Sequence, residues 1–267
     1  MAPEADARRW SRGPTRGATA LAVLVVTIAG DAAASPGRDR VGAAPLAAGE
    51  AWVAVTYELS LSTRVEGAPW AVALDAAVAL GPRLTVGLSQ SAAALGTIDR
   101  SGGLCLDSAA HACPRSYRGG LVDVRWRLRD GRWAIAALAR LGVAGLSPVL
   151  PLARLGLRGA GHRGRWWVVA TPELAMSLGG RALGNRDTLE APLWLGVDAG
   201  PASVWLRTGV RGELAGLDEK YEIAIGAGLA LARGRWRAGL DAGFPQLLGP
   251  QNSFKQRQAA IWLALER

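Results

Sequence analysis

From Ala51 onward, apolar side chains recur at every second position, in short runs separated by turn residues. Val53, Val55, Tyr57, Leu59 and Leu61 share one face of the first run, and Ala54, Thr56, Glu58, Ser60 and Ser62 share the other. The second run sets Trp70, Val72, Leu74, Ala76, Val78 and Leu80 against Ala71, Ala73, Asp75, Ala77 and Ala79. Successive side chains of an extended backbone leave opposite faces, so a period of two reads as strand. The alternation returns at 84–88, 122–128 and 133–143, more weakly at Leu155 and Leu157, then as one run over 166–178 that includes Pro172. Further runs follow at 189–197, 204–210, 221–231, 236–244 and 259–265. Together they predict roughly twelve strands, each close to the length a tilted strand needs to cross a bilayer.

The connections alternate in length. Gly81-Pro82-Arg83, Asp130-Gly131, Arg163-Gly164, Gly200-Pro201 and Arg233-Gly234 read as tight hairpin turns. Between them lie longer stretches at 94–119, 179–188, 212–220 and 245–255. Tight turns on one side and long loops on the other predict an all-β fold, a transmembrane antiparallel up-and-down β-barrel over residues 51–267. A soluble β-sandwich also alternates, but it rarely keeps its apolar faces in step with such regular turn and loop spacing. Trp126, Trp133, Trp166 and Trp236 lie beside short turns on the apolar parity, and Trp70, Tyr221 and Phe244 lie beside long loops. These seven form the expected aromatic girdles at the two membrane interfaces.

Ahead of the strands stands a targeting pattern. Arg8, Arg9, Arg12 and Arg16 precede an apolar stretch at 18–30 that is too short to span a bilayer, and Ala32-Ala33-Ala34 then offers a cleavage site. Residues 1–34 read as a signal peptide and 35–50 as a periplasmic extension. The signal takes four of the 31 basic and three of the 22 acidic residues, which leaves the mature chain near +8. Such a charge invites comparison with nucleic-acid binders. Here the basic groups are dispersed arginines, with Lys220 and Lys255 the only lysines, so nucleic acid is not expected as a partner.

Signal, alternating strands and turn pattern together resemble Gram-negative outer-membrane β-barrel proteins, especially their 12-stranded transporter and porin-like group. The resemblance covers nearly the whole mature chain. It implies an outer-membrane location, with lipid, the barrel-insertion machinery and small solutes as partners. The chain closes on Glu266-Arg267 rather than on the aromatic residue usual in that group.

The polar parity carries the candidate chemistry. Glu58, Asp75, Asp123, Glu173, Glu190, Asp198, Glu222 and Asp241 share it with Arg83, Arg125, Arg127, Arg140, Arg154, Arg158, Arg207, Arg211 and Arg237. Charges facing lipid are costly, so these residues are expected to face a lumen. Arg125, Arg127, Arg207 and Arg211, with fewer acids near them, read as a basic wall that favours anions. Cys105 and Cys113, with His111 between them, are expected to form a disulfide rather than a metal site. Gly159-Ala160-Gly161-His162-Arg163-Gly164 spells a dinucleotide fingerprint, but a strand follows it instead of a helix, so it reads as a hairpin turn. With two histidines, neither beside a strand serine, the chain is not expected to be an enzyme, and no cofactor or metal is implied. Two functions stay open ahead of a distant third, a barrel enzyme: a narrow channel for small solutes, anions among them, and a closed structural or surface-binding barrel acting through its long loops.

Overall fold

The computed structural model describes residues 46–61, 70–91, 103–105, 117–146 and 148–267. The expected signal peptide, the extension up to residue 45, His111 and Cys113 lie outside the described residues, and Cys105 is the last residue of its strand. The strands are β1 (Ala51–Ser60), β2 (Trp70–Ala79), β3 (Leu84–Ser89), β4 (Gly103–Cys105), β5 (Tyr117–Arg129), β6 (Trp133–Leu146) and β7 (Val149–Arg163). They continue with β8 (Trp166–Ala170), β9 (Glu173–Ser177), β10 (Thr188–Ala199), β11 (Ala202–Glu213), β12 (Tyr221–Arg233), β13 (Trp236–Leu248) and β14 (Gln258–Glu266).

Every pairing is antiparallel, and outside two split staves each strand pairs with its sequence neighbours. β1 also pairs with β14, in register from Trp52↔Glu266 to Ser60↔Gln258, so the sheet closes on itself and leaves no edge. Two staves are split: β3 and β4 both lie between β2 and β5, while β8 and β9 both lie between β7 and β10. The fourteen strands therefore form a closed barrel of twelve staves.

The apolar parity faces outward. Val55, Leu80, Val122, Leu141, Leu157, Leu206 and Ile261 are all exposed on the outer wall. Such a surface is stable only against hydrocarbon, because water would drive it to aggregate. Trp126, Trp133, Trp166 and Trp236 are exposed beside the short turns, as is Trp70 on the opposite rim, where it meets Tyr57 edge-on at 5.6 Å. Tyr221 and Phe244 are half-buried. The start of the first strand and the end of the last meet at the short-turn rim, where Ala51 and Arg267 exchange backbone hydrogen bonds of 2.9 and 2.8 Å.

Four local expectations are corrected. The run 166–178 is not one strand, because Pro172 has no N–H to give the ladder and the stave breaks between Ala170 and Glu173. The weak run at Leu155 and Leu157 belongs to the 15-residue β7, whose alternation is muted by glycines and by the buried Leu150 and Leu152 on the inward parity. That strand also contains Gly159 to Arg163, so the glycine-rich hexapeptide is mostly strand and the turn falls at Gly164, φ +58°. The long stretches are shorter than expected: β4 and the start of β5 occupy part of 94–119, and β13 runs on to Leu248, past a register shift opposite Ile223–Ile225. The connection between β6 and β7 leaves only two residues between the strands although it lies on the long-loop side.

Candidate functional site

The interior has two levels. On the side of the short turns it is filled by indoles. Trp167, Trp194, Trp205 and Trp262 are each only 2% exposed and cluster with Ala54, Val169, Ala230 and Ala264, with Trp52 packed against them. Three of them lie against glycines of a neighbouring strand: a Cβ at Gly196 would fall 2.1 Å from Trp167, at Gly228 2.3 Å from Trp205, and at Gly239 2.6 Å from Trp262. Only a missing side chain leaves room for a flat ring against the wall. Their N–H groups are satisfied by carboxylates. Trp167 donates to Asp198 at 3.0 Å, while Trp205 and Trp262 both donate to Asp241 at 3.1 Å. A buried indole N–H without such a partner is costly, so Asp198 and Asp241 hold the aromatic level in place.

Towards the long loops the same wall turns ionic. Arg140 on β6 pairs with Glu173 on β9, and Arg154 on β7 reaches Glu173 at 3.9 Å and Glu190 on β10 at 2.8 Å. Arg211 on β11 joins Glu190 at 3.2 Å and Glu222 on β12 at 3.5 Å. The result is a ladder over six staves in which arginine and glutamate alternate along the contacts, Arg140–Glu173–Arg154–Glu190–Arg211–Glu222. Asp123, opposite Arg140 in register, extends it to β5, where it accepts from Arg125 and from Ser89 of β3. Asp75 holds the break of the third stave by accepting the backbone N–H groups of Gln90 and Ser91 at 2.8 and 2.9 Å.

The remaining charges sit at the rims or between the two levels. Arg127 pairs with Asp130 and donates to the Leu46 carbonyl at the short-turn mouth, and Arg237 pairs with Glu266 at 2.8 Å. Glu58 is buried, as is Arg158, which donates to the Thr171 hydroxyl. Arg207 is buried near Trp194, and Arg83 is exposed in its turn. Arg125, Arg127 and Arg211 thus each have a carboxylate partner, so they do not form an unopposed basic wall.

At the long-loop mouth, Arg181, Arg186, Asp187, Glu213 and Lys220 line a cavity of about 560 Å³. Asp187 accepts the Ser177 backbone N–H at 2.7 Å and pairs with Arg181, and these two contacts hold its carboxyl below the usual carboxylate range. A lowered folded value means that the anchor is complete above the ordinary aspartate pKa and is lost as pH falls through the lowered one. The Ser177 amide resonance should therefore shift with a midpoint below the ordinary aspartate value. Asp187→Asn should remove that transition; a midpoint above the ordinary value would contradict the assignment.

Strand parity alone did not bring out Trp52, Trp167, Trp194, Trp205 and Trp262. The signal was present, because all five share the parity of the charged residues, opposite to that of the exposed tryptophans.

No family model matches the sequence, and no curated protein is similar to it. Solved structures are. The KdgM porin matches 79% of this chain and 98% of its own, at 10% identity and a TM-score of 0.53. The NanC porin matches 80% and 98%, at 6% identity and a TM-score of 0.56. An outer membrane channel from Pseudomonas putida F1 matches 84% and 97%, at 12% identity and a TM-score of 0.50. At such identities the likeness is one of fold, and it agrees with the closed barrel and its apolar outer wall: the chain has the fold of the Gram-negative outer-membrane β-barrels in their twelve-stranded form.

Proposed function

We propose that the protein sits in the outer membrane as a narrow channel for small polar solutes, its lumen held shut by the indole level in the conformation described. The observation that carries this reading is the ionic ladder. Buried ion pairs are poor stabilisers, because desolvation offsets most of their attraction, and apolar side chains of equal size often hold a structure better. A barrel serving only as a scaffold gains little from lining its inner wall with Arg140, Arg154, Glu173, Glu190, Arg211 and Glu222. A passage for polar solutes does gain, since charged and hydrogen-bonding walls replace lost hydration. The solved structures offer a precedent on this fold: the KdgM porin has been observed in complex with disordered oligogalacturonate.

The ladder alternates in sign, so it does not by itself select anions; it favours polar over apolar cargo. The inner positions of β1 and β2 are small, Ala54, Ala71, Ala73, Ala77 and Ala79, all buried, and Ala54 packs with the indoles. The reading is non-catalytic.

Liposomes carrying the purified protein test it. They should swell in isosmotic solutions of small polar solutes such as glycerol and monosaccharides, and swell progressively less as solute size increases. If they exclude every solute tested, the alternative of a closed barrel that works through its long loops takes its place.

A further inference from the structure

Arg207 stands apart from the other interior arginines. It is 7% exposed, in the middle of β11, between Trp194 on β10 and Gly226 on β12 in the same row. The next residue along that row is Gly243 on β13. A Cβ at Gly226 would lie 3.5 Å from Arg207 Nε, so the side chain runs over a wall kept bare by glycines. Each of its neighbours in the ladder has a carboxylate. Among the described residues no carboxylate comes within ion-pairing distance of Arg207, and no hydrogen bond to its guanidinium is formed. The carboxylate two positions before Gly243, that of Asp241, is turned to the indoles of Trp205 and Trp262.

A guanidinium stays charged at any working pH, and an enclosed charge without a counter-ion is costly. In the ionic level that cost is met by acids of other staves, Glu173 for Arg140 and Glu190 for Arg154 and Arg211. Here the adjacent positions are a glycine, over which the Arg207 side chain itself runs, and a tryptophan, and neither side chain supplies an acceptor. The geometry points to Arg207 as the binding residue of an oxyanion subsite inside the barrel. It takes a carboxylate or phosphate group in its two-pronged N–H fork, with the Trp194 indole against the rest of the ligand. The subsite lies at the junction of the ionic and aromatic levels, on the path assigned to solutes. It therefore rests on the reading of the interior as a passage and names the anionic group that such a passage holds.

The test measures binding without transport, so the subsite and the channel can fail separately. The full mature barrel in detergent micelles is titrated with sodium acetate and, in a second arm, with sodium phosphate, at ionic strength matched with sodium chloride. Indole fluorescence is the readout. At least one probe should give a saturable change, and the stronger arm identifies the preferred group. Arg207→Met should raise the half-saturation concentration at least tenfold, while Arg207→Lys, a point charge without the fork, should fall between. Without added anion, Arg207→Met should also unfold at higher urea than the wild type, because an uncompensated buried charge has gone. No saturable change in the wild type with either probe overturns the proposal, as does equal affinity in Arg207→Met. A lower urea midpoint in Arg207→Met also overturns it, since that marks a structural arginine. Binding that persists in a barrel that fails to swell liposomes would sink the channel and keep the subsite.

Discussion

Replacing Glu190 with leucine is expected to destabilise the barrel by about 3–5 kcal/mol, the usual cost of removing one partner from a buried ion pair. Glu190 is 2% exposed and serves two arginines: Arg154 donates from both terminal nitrogens at 2.8 and 3.4 Å, and Arg211 approaches at 3.2 Å. Leucine fills much the same volume but leaves both guanidinium groups short of a carboxylate in the same enclosed level. The loss should appear as a lower urea midpoint for the barrel in detergent or vesicles, with little change in slope. Glu190→Gln should cost less, because it keeps an acceptor oxygen. The exposed pair Arg181–Asp187 supplies the contrast, since breaking it through Arg181→Met should cost no more than about 1 kcal/mol. Equal losses at the two sites would mean that the ladder does not enclose its charges as the buried Glu190 implies.

Truncating the indoles should have a comparable effect for a different reason. Trp205→Ala and Trp262→Ala each remove a fully buried ring, and large-to-small changes of this kind typically cost about 3–5 kcal/mol. The two should not add. Both rings donate to Asp241, so the first truncation already leaves that carboxylate with one donor fewer and free to shift. The double variant should lose measurably less than the sum of the singles. Strict additivity would show that Asp241 does not couple them.

These two levels differ in how far they could be read from the sequence. Which side chains face outward was legible throughout, because a period of two assigns a face without knowledge of the fold. Val53, Leu74, Val124 and Leu206 are exposed for that reason. Which inward residues meet was not legible. Pairing of Arg154 with Glu190 depends on the stagger of the staves, and alternation contains no information about height along the barrel. Tryptophan misled in a second way, since the type occurs on both faces: Trp166 is exposed while its neighbour Trp167 is enclosed. The girdle pattern drew attention to the first and away from the second. Gly196, Gly228 and Gly239 held the missing hint, because a glycine on the inner parity of a strand marks a place where something large approaches the wall. The split of the seventh stave was also within reach, since Pro172 sits in a run that would otherwise pair on both sides.

Single-channel conductance in planar bilayers shows whether the indoles block a passage through the barrel, with the wild type compared to the Trp205→Ala/Trp262→Ala double variant. The wild type should show small, infrequent openings, and the double variant a conductance several-fold larger, because the indole level is what closes the lumen. If the folded double variant stays as silent as the wild type, the interior is a packed core and the protein is not a channel.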